Sequence, residues 1–90
     1  MKTIWKYELQ VTDEQTIAMP KDCDFLTVQV QNGKPCLWAS VDSNSPEVDQ
    51  KILTIGTGNP IPKDTHADCT NYIGTYQLNG GRLVFHVFHG

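Results

Sequence analysis

The chain has 90 residues, of which 39% are hydrophobic, and ten acidic against seven basic side chains leave a formal charge of −3. This length gives one domain, residues 1–90, and the apolar content is too high for intrinsic disorder. No apolar run reaches the ~20 residues of a membrane helix, the N-terminus lacks a secretion leader, and the acidic balance argues against duplex nucleic acid as a partner.

From Ile4 to Val11 the sequence IWKYELQV alternates, with Trp5, Tyr7, Leu9 and Val11 predicted on a buried strand face. Asp13-Glu14-Gln15 turns the chain. Thr16 to Met19 reads as a second short strand that Pro20 ends, because proline cannot donate to a ladder.

Leu26, Val28 and Val30 then alternate with Thr27, Gln29 and Gln31 up to Asn32-Gly33, a strong signal for a type I′ hairpin. Closing the turn with Gln31 and Lys34 sets Val30 opposite Pro35, Val28 opposite Leu37 and Leu26 opposite Ala39. Pro35 falls at a non-hydrogen-bonded pair, where its missing N–H costs nothing. The other face carries Thr27, Gln29, Cys36, Trp38 and Ser40.

Asp42 to Gln50 reads as an exposed loop, with room for a single helical turn near Pro46 or, further on, near Pro62. Lys51 to Thr57 is a fifth strand with Leu53 and Ile55 predicted inward. Gly56 to Thr70 has no periodicity and forms a long loop of about 15 residues, a length uncommon unless functional or mobile. Tyr72, Gly74, Tyr76 and Leu78 share one face of a sixth strand. A two-residue turn at Asn79-Gly80 or Gly80-Gly81 aligns Tyr76 and Leu78 with Leu83, Phe85 and Val87 on the returning strand. Val84 and Phe88 make that last strand apolar on both faces, which predicts a central position. The whole is all-β: a small antiparallel sandwich or partly open barrel of about six or seven short strands, with two tight Asn-Gly/Gly-Gly hairpins.

Few residues form a chemical constellation. Three cysteines, Cys23, Cys36 and Cys69, without a CxxC pair, read as free thiols in a reducing compartment, or as one disulfide and one free thiol. His66 and Cys69, and His86 and His89, are each three apart. On a strand that spacing points to opposite faces, so no metal is assigned, and His86 reads as a hydrogen-bonded core histidine. A thiol with His66 or His86 as base lacks any local signature, the serines lack a nucleophile elbow, and most acids sit in turns. Neither an enzyme nor a cofactor is expected. Trp5, Tyr7, Tyr76 and Phe85 are assigned to the core. Trp38 packs under the long loop or forms an exposed patch with Cys36 and Phe88, fit for an interface or a stacking platform.

IWKYELQV, VQVQNGKPCLWASV, GTGNPIP and YIGTYQLNGGRLVFHVF resemble a family of small accessory proteins encoded by phages and prophages. The likeness runs from Ile4 to Phe88 and brings no catalytic or ligand residues with it. It implies action in the bacterial cytoplasm by binding: sequestering a nucleotide signal of host defence, occluding a host protein, or serving virion assembly. The residues assigned to an anionic ligand are Gly56 and Gly58, which permit a backbone N–H nest, Thr57 and Asn59 for their hydroxyl and amide groups, Arg82 and Lys34 as charge partners reaching the site directly or across a subunit boundary, and Trp38 as a base-stacking surface. A small all-β domain with exposed strand edges is also expected to form a homo-oligomer, with Trp38 in or near the contact.

Overall fold

The computed structural model describes residues 1–62 and 71–90. Seven strands are present among them: β1 (Lys2–Glu8), β2 (Glu14–Pro20), β3 (Asp24–Gln31), β4 (Lys34–Asp42), β5 (Glu47–Gly56), β6 (Asn71–Leu78) and β7 (Leu83–His89). They form two antiparallel sheets, one in the order β1-β4-β3 and the other β2-β5-β7-β6. The sheets pack as a sandwich and do not close into a barrel. Along one side β3 runs beside β6 without ladder hydrogen bonds, while β1 and β2 are the remaining edges.

The β3–β4 hairpin follows its turn chemistry. Asn32 and Gly33 have φ of 53° and 78°, the pair of positive values a type I′ turn requires. Gln31 pairs with Lys34, Val30 with Pro35 and Val28 with Leu37. The expected pairing of Leu26 with Ala39 fails. A bulge between Phe25 and Thr27 sets Phe25 opposite Ala39 and leaves Leu26 exposed. Phe25 is the larger apolar group, and it packs against the core in place of Leu26.

β1 stops at Glu8 rather than at Val11, and Pro35 explains why. Leu9 N–H donates to the Pro35 carbonyl at 2.9 Å, but Pro35 has no N–H to return the bond, so the ladder cannot continue. Leu9 is still buried, whereas Val11 is exposed. Trp5 is not a core residue either; it is 40% exposed on the edge strand.

β5 begins within the segment read as a loop. Glu47 to Gln50 pair with Ile17 to Pro20, and among the described residues β5 is the only ladder partner of β2. The turn before it is closed by Ser45 N–H donating to the Asp42 carbonyl at 3.0 Å, with no helical turn near Pro46. The inward face of β5 also differs from expectation. Ile52 joins the main core with Leu9, Met19, Val28, Leu37, Ala39, Val41, Tyr76 and Val87, while Leu53 and Ile55 form a second cluster with Phe88 on the outer face. Both faces of β5 are apolar at this point, so alternation alone does not select one.

β7 lies between β5 and β6, the central place its two apolar faces predict. Leu78, Tyr76 and Gly74 pair with Leu83, Phe85 and Val87. The connection is not a two-residue turn. Leu78 and Leu83 enclose four residues, of which Asn79, Gly80 and Gly81 all have positive φ, 53°, 67° and 90°. A second bulge, between Tyr72 and Gly74, turns Tyr72 away from the core face to pack edge-on against Phe88, ring centroids 5.6 Å apart.

Candidate functional site

The end of β5 and the start of β7 are neighbours, with Gly56 paired to Phe85. This pairing brings the turn after β5 next to Arg82. Asn59 N–H donates to the Gly56 carbonyl at 3.0 Å, and Gly58 at the third turn position has φ of 87°, the conformation of a type II turn. A Cβ at Gly56 would lie 2.8 Å from Asn59 Nδ2, so a side chain there would displace the Asn59 amide.

Three clefts meet at this turn. One of about 440 Å³ is lined by Gly56, Thr57, Asn59, Arg82 and the first residues of β7. A second, of about 280 Å³, lies on the outer face of the four-stranded sheet, where Gly58, Ile61, His86 and Phe88 complete its wall. The largest, about 600 Å³, runs between Thr12–Glu14 and Asn59–Pro62. Asp13 and Glu14 line it, so its field disfavours an anion, whereas the Arg82 cleft carries a guanidinium.

Of the residues assigned from sequence, Gly56, Thr57, Gly58, Asn59 and Arg82 therefore meet around one turn. Lys34 and Trp38 do not join them. Both belong to β4 in the other sheet, where Lys34 lies 3.4 Å from Glu8 and Trp38 stands half-buried between Lys6 and Thr27. The expected patch of Trp38, Cys36 and Phe88 does not form, because Phe88 is on the outer face of the four-stranded sheet. The N–H nest is corrected as well. Thr57 N–H donates to the Val84 carbonyl at 3.0 Å and Asn59 N–H closes the turn, so two of its donors are already engaged. Beside them the turn offers the Thr57 hydroxyl and the Asn59 amide.

Sequence reasoning missed the side-chain network beside the turn. Thr57 Oγ1 is 2.6 Å from His86 Nε2, His86 Nδ1 is 2.9 Å from Thr75 Oγ1, and Thr75 Oγ1 is 2.5 Å from the Tyr72 hydroxyl. A neutral imidazole offers one donor and one acceptor, and hydroxyls take either role, so the chain is satisfied in either direction. The available signal was the outward alternation of His86 with Val84 and Phe88. His86 is the hydrogen-bonded histidine expected from sequence, but on the outer face rather than in the core.

A hydroxyl held by an imidazole is the first half of a nucleophile–base pair. Here the imidazole is oriented by a second hydroxyl instead of a carboxylate, and the Thr57 and Asn59 N–H groups are engaged. His89 points to the opposite face and stacks on Phe25, with ring centroids 4.0 Å apart. Among the described residues no three His, Cys, Asp or Glu side chains form a metal cluster. His66 and Cys69 lie outside the described residues. Cys23 and Cys36 are free thiols, and burial together with Asp24 and Asp22 pushes the Cys23 thiol up, which favours the unreactive protonated form.

The fold and its clefts define a small two-sheet β-domain with ligand-sized cavities around one glycine-containing turn. The chain belongs to the family described as Domain of unknown function (DUF7352), which matches residues 1–90. Neither a curated protein nor a solved structure matches it.

Proposed function

We propose that the domain is a non-catalytic binding protein for a small phosphate-bearing ligand of the nucleotide class, held beside the turn from Gly56 to Asn59. The observation that carries this reading is the convergence of Arg82 with Thr57 and Asn59 on one cleft of about 440 Å³. A guanidinium grips phosphate through two parallel hydrogen bonds, and the Thr57 hydroxyl and Asn59 amide supply neutral partners. The adjoining cleft, with Ile55, Ile61 and Phe88 in its wall, offers apolar surface for a base. The net charge of −3 repels an anion at long range, but screening limits that penalty to about 8 Å at physiological salt. With the likeness to small phage and prophage accessory proteins, this reading makes the domain a sponge for a host defence signal, working in the bacterial cytoplasm. Among the described residues no helix is long and apolar enough to cross a membrane.

Calorimetry with a panel of cyclic and linear nucleotides tests it. Arg82→Ala should weaken binding about tenfold or more, as loss of a charged hydrogen bond of ~1.5–3 kcal/mol implies. Gly58→Val should also weaken it by straining the turn, while Lys34→Ala should leave it unchanged. A wild type that binds no nucleotide ends this reading.

A further inference from the structure

The four sheet edges are not alike. β3 carries a bulge and lies beside β6, β6 carries a bulge of its own, and β2 ends in Pro20. Such devices block pairing with another chain. β1 has none of them: its register against β4 is unbroken over seven residues, and it contains no proline. Ile4 is 59% exposed and Trp5 40%.

The backbone direction of this edge is fixed by its two ends. The Met1 carbonyl accepts from Ser43 N–H, and Leu9 N–H donates to Pro35, both at 2.9 Å. Backbone groups alternate along a strand, so the odd-numbered residues face β4 and those of Lys2, Ile4, Lys6 and Glu8 face away. We infer that this edge pairs antiparallel with β1 of a second copy, with Trp5 on the two-fold axis.

Register follows from charge. Centred on Trp5, Lys2 opposes Glu8 of the second copy and Ile4 opposes Lys6, each a hydrogen-bonding pair with outward backbone groups on both sides. Centring on Ile4 would oppose Lys2 to Lys6, and centring on Lys6 would oppose Lys6 to itself; like charges directly opposite are unfavourable. Glu8 already lies 3.4 Å from Lys34, and Lys2 of the second copy adds a further cation to that carboxylate. The two Trp5 rings then meet at a non-hydrogen-bonded pair, where side chains approach most closely. The two three-stranded sheets become one continuous sheet of six, and the homo-oligomer contact lies at Trp5 rather than Trp38.

Sedimentation at tens of micromolar tests this. The wild type should run at twice its 10.1 kDa mass. Ile4→Pro should halve that mass, since its lost N–H points away from β4 and circular dichroism should show the fold retained. Trp5→Cys should give an inter-chain disulfide on mild oxidation, assigned by peptide mapping, because the ~4.5 Å Cα separation of such a pair lies within disulfide reach. Lys6→Cys, opposite Ile4, should not. A monomeric wild type, a dimer that survives Ile4→Pro in folded form, or no linkage between the introduced thiols of Trp5→Cys overturns the proposal. Should Ile4→Pro fail to fold, the crosslink alone decides.

Discussion

Gly74 of β6 lies directly against the backbone of Val28 in β3: a Cβ at Gly74 would stand 3.2 Å from Val28 N and 3.5 Å from its Cβ. The two sheets approach here without ladder hydrogen bonds, so the absent side chain sets their distance. Gly74→Val drives a branched side chain into the seam. We expect a loss of about 1–3 kcal/mol, the usual cost of overpacking, read as a lower midpoint in urea denaturation.

The register of the β3–β4 hairpin predicts opposite outcomes for adjacent residues. Val28 is buried opposite Leu37, while Gln29 is exposed opposite Cys36. Val28→Asp should unfold the domain by burying an unpaired carboxylate, and Gln29→Asp should cost under about 1 kcal/mol. Equal effects in thermal melts would contradict this register.

Three weak acids, Tyr76 buried and Tyr7 and Cys23 half-buried, should make the domain labile in alkali. Burial raises the Tyr7 hydroxyl, with Cys23 and Glu47 adding to it; burial also raises the Tyr76 hydroxyl and the Cys23 thiol. Each group holds its proton longer in the folded state than in the unfolded chain. The unfolded state therefore binds fewer protons once pH passes the ordinary values of 9.0 for Cys and 10.0 for Tyr. Stability should be level below that range and fall as pH rises through it. Unfolding free energies measured between neutral pH and pH about 10.5 check the sign, and Tyr76→Phe should flatten the slope.

The network at His86 joins the turn after β5 to β6. His86→Leu removes the bonds to Thr57 and Thr75, leaving Thr75 its bond to Tyr72 and the Thr57 hydroxyl to water. Two net hydrogen bonds correspond to about 1–3 kcal/mol. Amide exchange at Thr57, bonded to Val84, should accelerate more than exchange within the β3–β4 hairpin.

Turn chemistry made the β3–β4 hairpin legible from sequence, because Asn32-Gly33 fixes a conformation and hence a register. The two apolar faces of β7 likewise pointed to its central place. The bulge at Leu26 was not legible, since it is decided by whether Phe25 or Leu26 fills the space against the opposite sheet. The face of β5 was ambiguous for a related reason: Ile52, Leu53 and Ile55 are all apolar, and only the second cluster with Phe88 separates them. At the site, Arg82 was associated with the turn at Thr57, and the pairing of β5 with β7 brings the two together. That Lys34 and Trp38 stand away from this turn within one chain is not legible, because the chain crosses from one sheet to the other between β4 and β5, a step with no local signature. Tyr72 and Thr75 could not be assigned to His86 without knowing that β6 and β7 pair with a bulge.

The position of β7 has a bearing on how the protein is made. It is the last of the seven strands to leave the ribosome, yet it lies between β5 and β6. The three-stranded sheet has all its strands once Asp42 is synthesised, but its partner sheet lacks its central member for another 41 to 47 residues, until Leu83 to His89 emerge. Once made, Ile52, Leu53 and Ile55 have no ladder neighbour on the β7 side until then. Vectorial synthesis therefore imposes a window of stickiness on an otherwise short chain, and slow translation of the final strand would lengthen it.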